Sequence, residues 1–137
     1  MKQIFLCIIG IFAIMACSND RDSLNDMVSE MNNKLPKEEK HWTLDSMGVS
    51  NKGEIVYYCN SDKDAEYFDL LKSKKDSITD AIIANLNNGK DNNTMKLVKK
   101  CKKYNAGIVY KYSSKKTNET LTINIPLNKL IVDPEKD

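Results

Sequence analysis

The sequence contains few of the residues that build most catalytic, metal and phosphate sites. Its 137 residues include one histidine, one tryptophan, five glycines and three prolines, and Arg21 is the only arginine. Lysine therefore supplies most of the positive charge, and lysine lacks the forked donors with which arginine grips phosphates and carboxylates. No Cys-x-x-Cys, His-x-x-x-His or Asp-x-Asp-x-Asp-Gly pattern occurs, and there is no glycine-rich phosphate loop. The sequence thus predicts no metal site and no cofactor.

The sequence also has no apolar run long enough for a permanent membrane span. Residues 4–16 form an almost uninterrupted apolar stretch, but about 13 residues fall short of the roughly 20 that a helix needs to cross a bilayer. A basic start at Lys2, an apolar middle and small Ala16 before Cys17 are typical of a secretory signal. A general signal peptidase requires a small residue at the third position before the cleavage site, and Ile14 is too large for that position if cleavage precedes Cys17.

The residues around the end of this stretch point to lipid attachment. Ile14, Met15, Ala16 and Cys17 resemble the lipobox of bacterial lipoproteins, in which an aliphatic residue, a tolerant position and a small residue precede an invariant cysteine. The cysteine thiolate accepts a diacylglycerol and the freed amine takes a further acyl chain, so the anchor is firm. The resemblance implies that residues 1–16 are a signal peptide and that Cys17 becomes the acylated N-terminus. Plain secretion with a free Cys17 is the alternative.

The residues after Cys17 bear on localisation in the cell envelope. Ser18 stands where an aspartate would resemble an inner-membrane retention signal, so the outer membrane is favoured. Asp20 and Asp22 resemble the surface-export tag of Bacteroides-type lipoproteins, although a solvated tether would look the same. The periplasmic and surface faces of the membrane therefore both stay open.

Removal of the signal leaves 121 of the 137 residues, enough for one domain. We expect an acylated N-terminus and tether over residues 17–22, a single domain over 23–132 and a charged tail over 133–137. Loss of Lys2 leaves 20 basic against 19 acidic residues, a balance that favours no nucleic-acid partner. The lysines near position 100 are interpreted as the solvated face of a helix.

Hydrophobic periodicity predicts the order α-β-β-α-α-β-β. The first helix runs from about residue 24 to Pro36, and a hairpin over 41–50 and 54–60 turns at Asn51-Lys52-Gly53. Asp62 or Asp64 caps a long helix over about 65–87, and a third helix opens at Thr94. A second hairpin covers 107–113 and 120–127. We therefore expect an α+β fold, with a four-stranded antiparallel sheet from two β-hairpins and about three helices on one face.

Several short pieces of the mature chain resemble a group of small exported Bacteroides-type proteins of unassigned function, many of them lipoproteins. The matching pieces are Leu35-Pro36, Trp42-Thr43, Val56-Tyr57-Tyr58, Cys101 and the strand Gly107-Ile108-Val109-Tyr110-Lys111-Tyr112. The resemblance implies the same α+β order and an exported location. It implies no activity.

Cys59 and Cys101 are the two cysteines of the expected domain, and both fall on predicted inward faces. An oxidising compartment would allow them to form a disulfide. The bridge would close a loop of about 42 residues, worth roughly 4 kcal/mol in the chain-entropy model. Two buried free thiols are the alternative.

Four tyrosines on the aromatic strands, Tyr57, Tyr58, Tyr110 and Tyr112, are the candidate binding surface. An exposed tyrosine can bury its ring against a partner while its hydroxyl remains hydrogen-bonded to water. Routine packing of the sheet would explain the same residues equally well.

Catalysis has little support in the sequence. His41 lies beside Trp42 at a strand start, where a surface role is expected, and an enzyme would require this histidine within reach of a cysteine or carboxylate. The favoured function is a non-catalytic binding or interaction module anchored in the membrane by acyl chains. Its partner would be another envelope protein or, as in immunity and inhibitor lipoproteins, an incoming effector protein. A small envelope hydrolase or other enzyme, and a structural envelope component, are the alternatives.

Overall fold

The computed structural model describes residues 20–89 and 91–131. Helix α1 covers residues 20–32 of the described chain, so residues expected in the tether are already helical. The remaining elements are β1 Lys37–Glu38, β2 Thr43–Val49, β3 Ile55–Asn60, α2 Ala65–Ser73, α3 Lys75–Asn87, α4 Asn92–Tyr104, β4 Ile108–Ser114, β5 Glu119–Ile125 and a 3₁₀ turn Leu127–Lys129. The α+β class is confirmed. The predicted signal peptide, Cys17 and the tail lie outside the described residues.

The sheet has five strands in the order β1-β2-β3-β4-β5. Neighbouring strands are antiparallel except for β3 and β4, which are parallel. The expected four-stranded, fully antiparallel sheet is therefore wrong in two respects, since short β1 is an additional edge strand and the two hairpins join through a parallel pair. Parallel neighbours require a long crossover, and helices α2, α3 and α4 supply it.

The long helix predicted over residues 65–87 is divided into α2 and α3 at Lys74, whose backbone angles of φ −123° and ψ 37° are not helical. The Ser73 hydroxyl donates to the Leu70 carbonyl at 3.2 Å, and such side-chain bonds compete with the helical ladder. At the other end, the Asp64 carboxylate accepts the Tyr67 backbone N–H at 3.0 Å. This is one of the two predicted caps, and it fixes where α2 begins.

The core lies between the helices and one face of the sheet. Alternate residues of the central strands enter it: Ile55, Tyr57 and Cys59 from β3, and Ile108, Tyr110 and Tyr112 from β4. The intervening Val56 and Val109, on the opposite face, are also only 2% and 4% exposed. The parallel pair is therefore buried on both sides at these positions, as parallel strands usually are.

Candidate binding groove

The four tyrosines predicted to form a binding surface do not lie together at the surface. Tyr57, Tyr110 and Tyr112 are buried, and only Tyr58 is exposed, at 41%. The rings of Tyr57 and Tyr110 stack at 4.3 Å between centroids, within the core beneath the helices. Burial raises the pKa of all three buried hydroxyls above that of a free tyrosine. The side-chain alternation of both strands directs all three inward, so the expected exposed tyrosine face is wrong; of the three, Tyr57 also lines the floor of a groove.

A surface groove lies instead between the end of α1, strand β2 and the start of α4. One side chain joins the first two of these elements. The Asn32 amide donates to the Met47 carbonyl at 2.9 Å and its oxygen accepts the Met47 N–H at 2.8 Å. Asn32 thus occupies the place of a neighbouring strand at this point of β2, and it holds the end of α1 against the sheet.

The floor of this groove is apolar. It consists of side chains from α1, the segment after it, β2 and β3: Met31, Leu35, Leu44, Met47 and Tyr57. The groove encloses about 290 Å³, compared with about 170 Å³ for a groove beside the β2–β3 turn. This volume is at the lower end of small-molecule sites, which span roughly 300–1,000 Å³. It suits an apolar side chain better than a large cofactor.

The rim of the groove is charged. Lys34 and Lys37 lie on one side, with Asp91, Asn93 and Thr94 at the start of α4 on the other. Asp91 caps α4 by accepting the Asn93 N–H at 3.2 Å and the Thr94 hydroxyl at 3.0 Å. The Asn93 hydrogen bond is the main reason that the pKa of Asp91 is lowered, and the positive charge of Lys34 contributes. Asp91 is therefore ionised at neutral pH, and the rim carries both signs of charge.

His41 does have a carboxylate within reach, which is the condition that the enzyme alternative required. Its Nδ1 lies 2.7 Å from an Asp64 oxygen, and its ring stacks on Tyr67 at 4.7 Å. The same carboxylate caps α2, and the pKa of Asp64 is lowered first by the Tyr67 N–H and then by the His41 contact. The pair thus has a structural role at the start of α2.

Cys59 and Cys101 are buried free thiols in this structure. Burial raises the pKa of each thiol to about 12, so neither is a thiolate nucleophile at neutral pH. Neither can serve His41 as a catalytic partner in this state. A disulfide between them in an oxidising compartment stays a prediction.

Over residues 20–89 and 91–131, no cluster of three or more histidine, cysteine or acidic side chains could hold a metal ion. Within the same part of the chain, no helix has the length and apolar character to cross a bilayer.

No protein-family model and no curated protein matches the chain. Its fold is similar to the crystal structure of a candidate secreted protein from Pseudomonas aeruginosa, with a TM-score of 0.65, 13% identity, and coverage of 82% of this chain and 93% of that chain. A pilotin from the Vibrio vulnificus type 2 secretion system matches with a TM-score of 0.47 and 10% identity, covering 86% of this chain and 99% of the pilotin. The first likeness shows a shared fold. Neither the lipobox nor a Bacteroides-type relationship follows from it.

Proposed function

We propose that this chain is a lipid-anchored protein of the cell envelope, acylated at Cys17, whose domain is a non-catalytic binding module. The groove between α1, β2 and α4 receives an apolar segment of another envelope protein or of an incoming effector. The outer membrane is the favoured location. The observation that supports the binding function is the apolar floor of the groove, open at the surface and bordered by charges.

The composition of the floor and rim suits a protein partner. Met31 and Met47 have flexible, polarisable side chains that adapt to different apolar surfaces. A protein interface commonly places apolar anchors in a pocket and surrounds them with polar residues that keep water out. Lys34 and Asp91 supply both signs of charge at the rim and can orient a polar flank of the bound segment.

Site-specific photo-crosslinking in intact envelopes tests the groove. A photoreactive residue replaces Met31 in the groove, and a matched control replaces Leu70, an apolar residue of α2 that is 42% exposed. We expect one defined protein adduct from position 31 that is absent from position 70. The adduct should weaken in a Cys17→Ser background, which cannot be acylated.

The two parts of the proposal can fail separately. An intact mass of the envelope-extracted protein without acyl chains would refute the lipid anchor and leave the groove untouched. Equal adducts from positions 31 and 70, or none from position 31 in acylated protein, would refute the groove as a binding site. A structural envelope component would then be the better description.

A further inference from the structure

The outer edge of β5 has backbone groups without partners among the described residues, and the hydrogen bonds of the sheet identify them. Ile55 N–H donates to the Gly107 carbonyl at 2.8 Å and Ser61 N–H to the Ser113 carbonyl at 2.9 Å, so odd-numbered residues of β4 direct their backbone toward β3. Even-numbered residues of β4 therefore bond to their register partners on β5, which are residues 119, 121, 123 and 125. It follows that Thr120, Thr122 and Asn124 direct their N–H and C=O groups away from the sheet.

The opposite edge of the sheet is protected against further pairing. Strand β1 has only two residues, and a register irregularity separates Leu44 from Ser46 in β2. The Asn32 side chain also hydrogen-bonds to both the N–H and the carbonyl of Met47. Short edge strands, bulges and covering groups are the usual means by which proteins prevent edge-to-edge association. Charged residues and prolines in an edge strand serve the same purpose. In the described chain, the seven residues of β5 pair with β4 without a bulge, and residues 120–125 include no charged residue and no proline.

We propose that β5 pairs antiparallel with β5 of a second copy of this chain, about a two-fold axis through Thr122. In this register Thr122 faces Thr122 of the second copy, and Thr120 faces Asn124. Each of these is a hydrogen-bonded pair that exchanges two N–H···O bonds, so every outward backbone group of the three residues finds a partner. Moving the axis to Thr120 or Asn124 would leave some of these groups unpaired.

A second copy suits this edge because the side chains are also self-complementary. On the open face of the sheet, neutral Thr122 meets itself and Thr120 meets Asn124, so no like charges are opposed. On the helical face, half-buried Leu121 comes to lie beside Ile123 of the second copy. Pro126, which has no N–H, follows immediately and limits the paired segment to β5. A two-fold interface of this kind uses the same patch on both chains.

Cysteine cross-linking tests the register in the full-length protein in its own membrane. Opposed Cα atoms of a hydrogen-bonded pair lie about 5.5 Å apart, within the roughly 4.4–6.8 Å that a disulfide spans. Position 120 would lie about 14 Å from its own counterpart, because four residues at about 3.4 Å separate them. Thr122→Cys should therefore form a disulfide dimer alone, whereas Thr120→Cys should do so only when coexpressed with Asn124→Cys.

The wild-type protein, which carries the native cysteines, is the control on the same non-reducing gel. A dimer of Thr122→Cys together with the 120–124 mixed dimer supports the proposed register. Failure of Thr122→Cys to cross-link, or an equally strong dimer from Thr120→Cys alone, would overturn it.

A charge-pair experiment gives a second measurement. Thr122 lies opposite Lys111 of β4, so Thr122→Glu has a favourable neighbour in the monomer but meets its own copy at the axis. We expect the detergent-solubilised wild type to sediment as a dimer, and Thr122→Glu and Thr122→Lys as folded monomers. Thr122→Lys should be the less stable of the two, because it opposes Lys111. Their equimolar mixture should be a dimer again. A monomeric wild type, or a Thr122→Glu protein that keeps the dimer mass, would refute the interface.

Discussion

Replacing Asn32 with alanine removes the side chain that joins α1 to β2, and it should destabilise the fold measurably. The substitution deletes two hydrogen bonds of 2.8 and 2.9 Å to the Met47 backbone. A neutral hydrogen bond contributes about 0.5–1.5 kcal/mol net, and an unpaired buried group costs about 1–3 kcal/mol. Met47 is only 5% exposed, so water compensates poorly. We expect the free energy of unfolding to fall by about 2 kcal/mol.

Asn33→Ala is the matched control, because Asn33 is the next residue and its side chain is exposed. Asn33→Ala makes the same chemical change in the turn that follows α1, and a surface substitution of this kind usually stays within about 0.5 kcal/mol. Urea unfolding followed by circular dichroism measures both variants. With a slope of about 2 kcal/mol per molar urea, the Asn32→Ala midpoint should fall by about 1 M. Equal midpoints for the two variants would refute the role given to Asn32.

The same variant also tests the groove. Met31 and Met47 border it from the two elements that Asn32 joins, so loss of the bridge should loosen this wall. At a temperature where Asn32→Ala remains folded, the photo-adduct at position 31 should weaken, whereas Asn33→Ala should leave it unchanged.

Three further outcomes are expected. Tyr110→Ala should cost about 3–5 kcal/mol in urea unfolding, since it empties a core site, whereas Tyr58→Ala on the exposed face should cost less than about 1 kcal/mol. The Tyr67 backbone N–H holds the pKa of Asp64 in the folded state below its unfolded value. The charge of Asp64 therefore stabilises the fold above the unfolded pKa of about 3.9, and this stabilisation is lost as the pH falls through the lower folded pKa. Between pH 7 and pH 3, Asp64→Asn should lose less stability than wild type. A maleimide at pH 7 should label neither Cys59 nor Cys101 in the folded protein, and labelling after unfolding without reductant distinguishes two free thiols from the predicted disulfide.

The strands were largely predictable because alternation is a local property. Leu121, Ile123 and Ile125 alternate with polar residues, and Ile123 and Ile125 are buried on the face that the helices cover. Strand β3 is apolar or aromatic from Ile55 to Cys59 and has no such alternation. Its membership of a parallel pair explains this, because Val56 is buried on the face opposite the helices. Strand order is not a local property, so the sequence could not show that β3 and β4 are parallel neighbours.

The groove was harder to predict than the strands, because it depends on a contact between distant residues. Met31 and Leu35 have the four-residue spacing of one helical face, and Asn32 is a polar residue next to Met31 with no local sign of a special role. Only the folded chain shows that Asn32 bonds to a strand 15 residues away. This contact has two effects, since it forms a wall of the groove and closes the β2 edge of the sheet. The proposed self-association uses β5, at the opposite edge, so a bound partner in the groove and a second copy at β5 would not compete for the same surface.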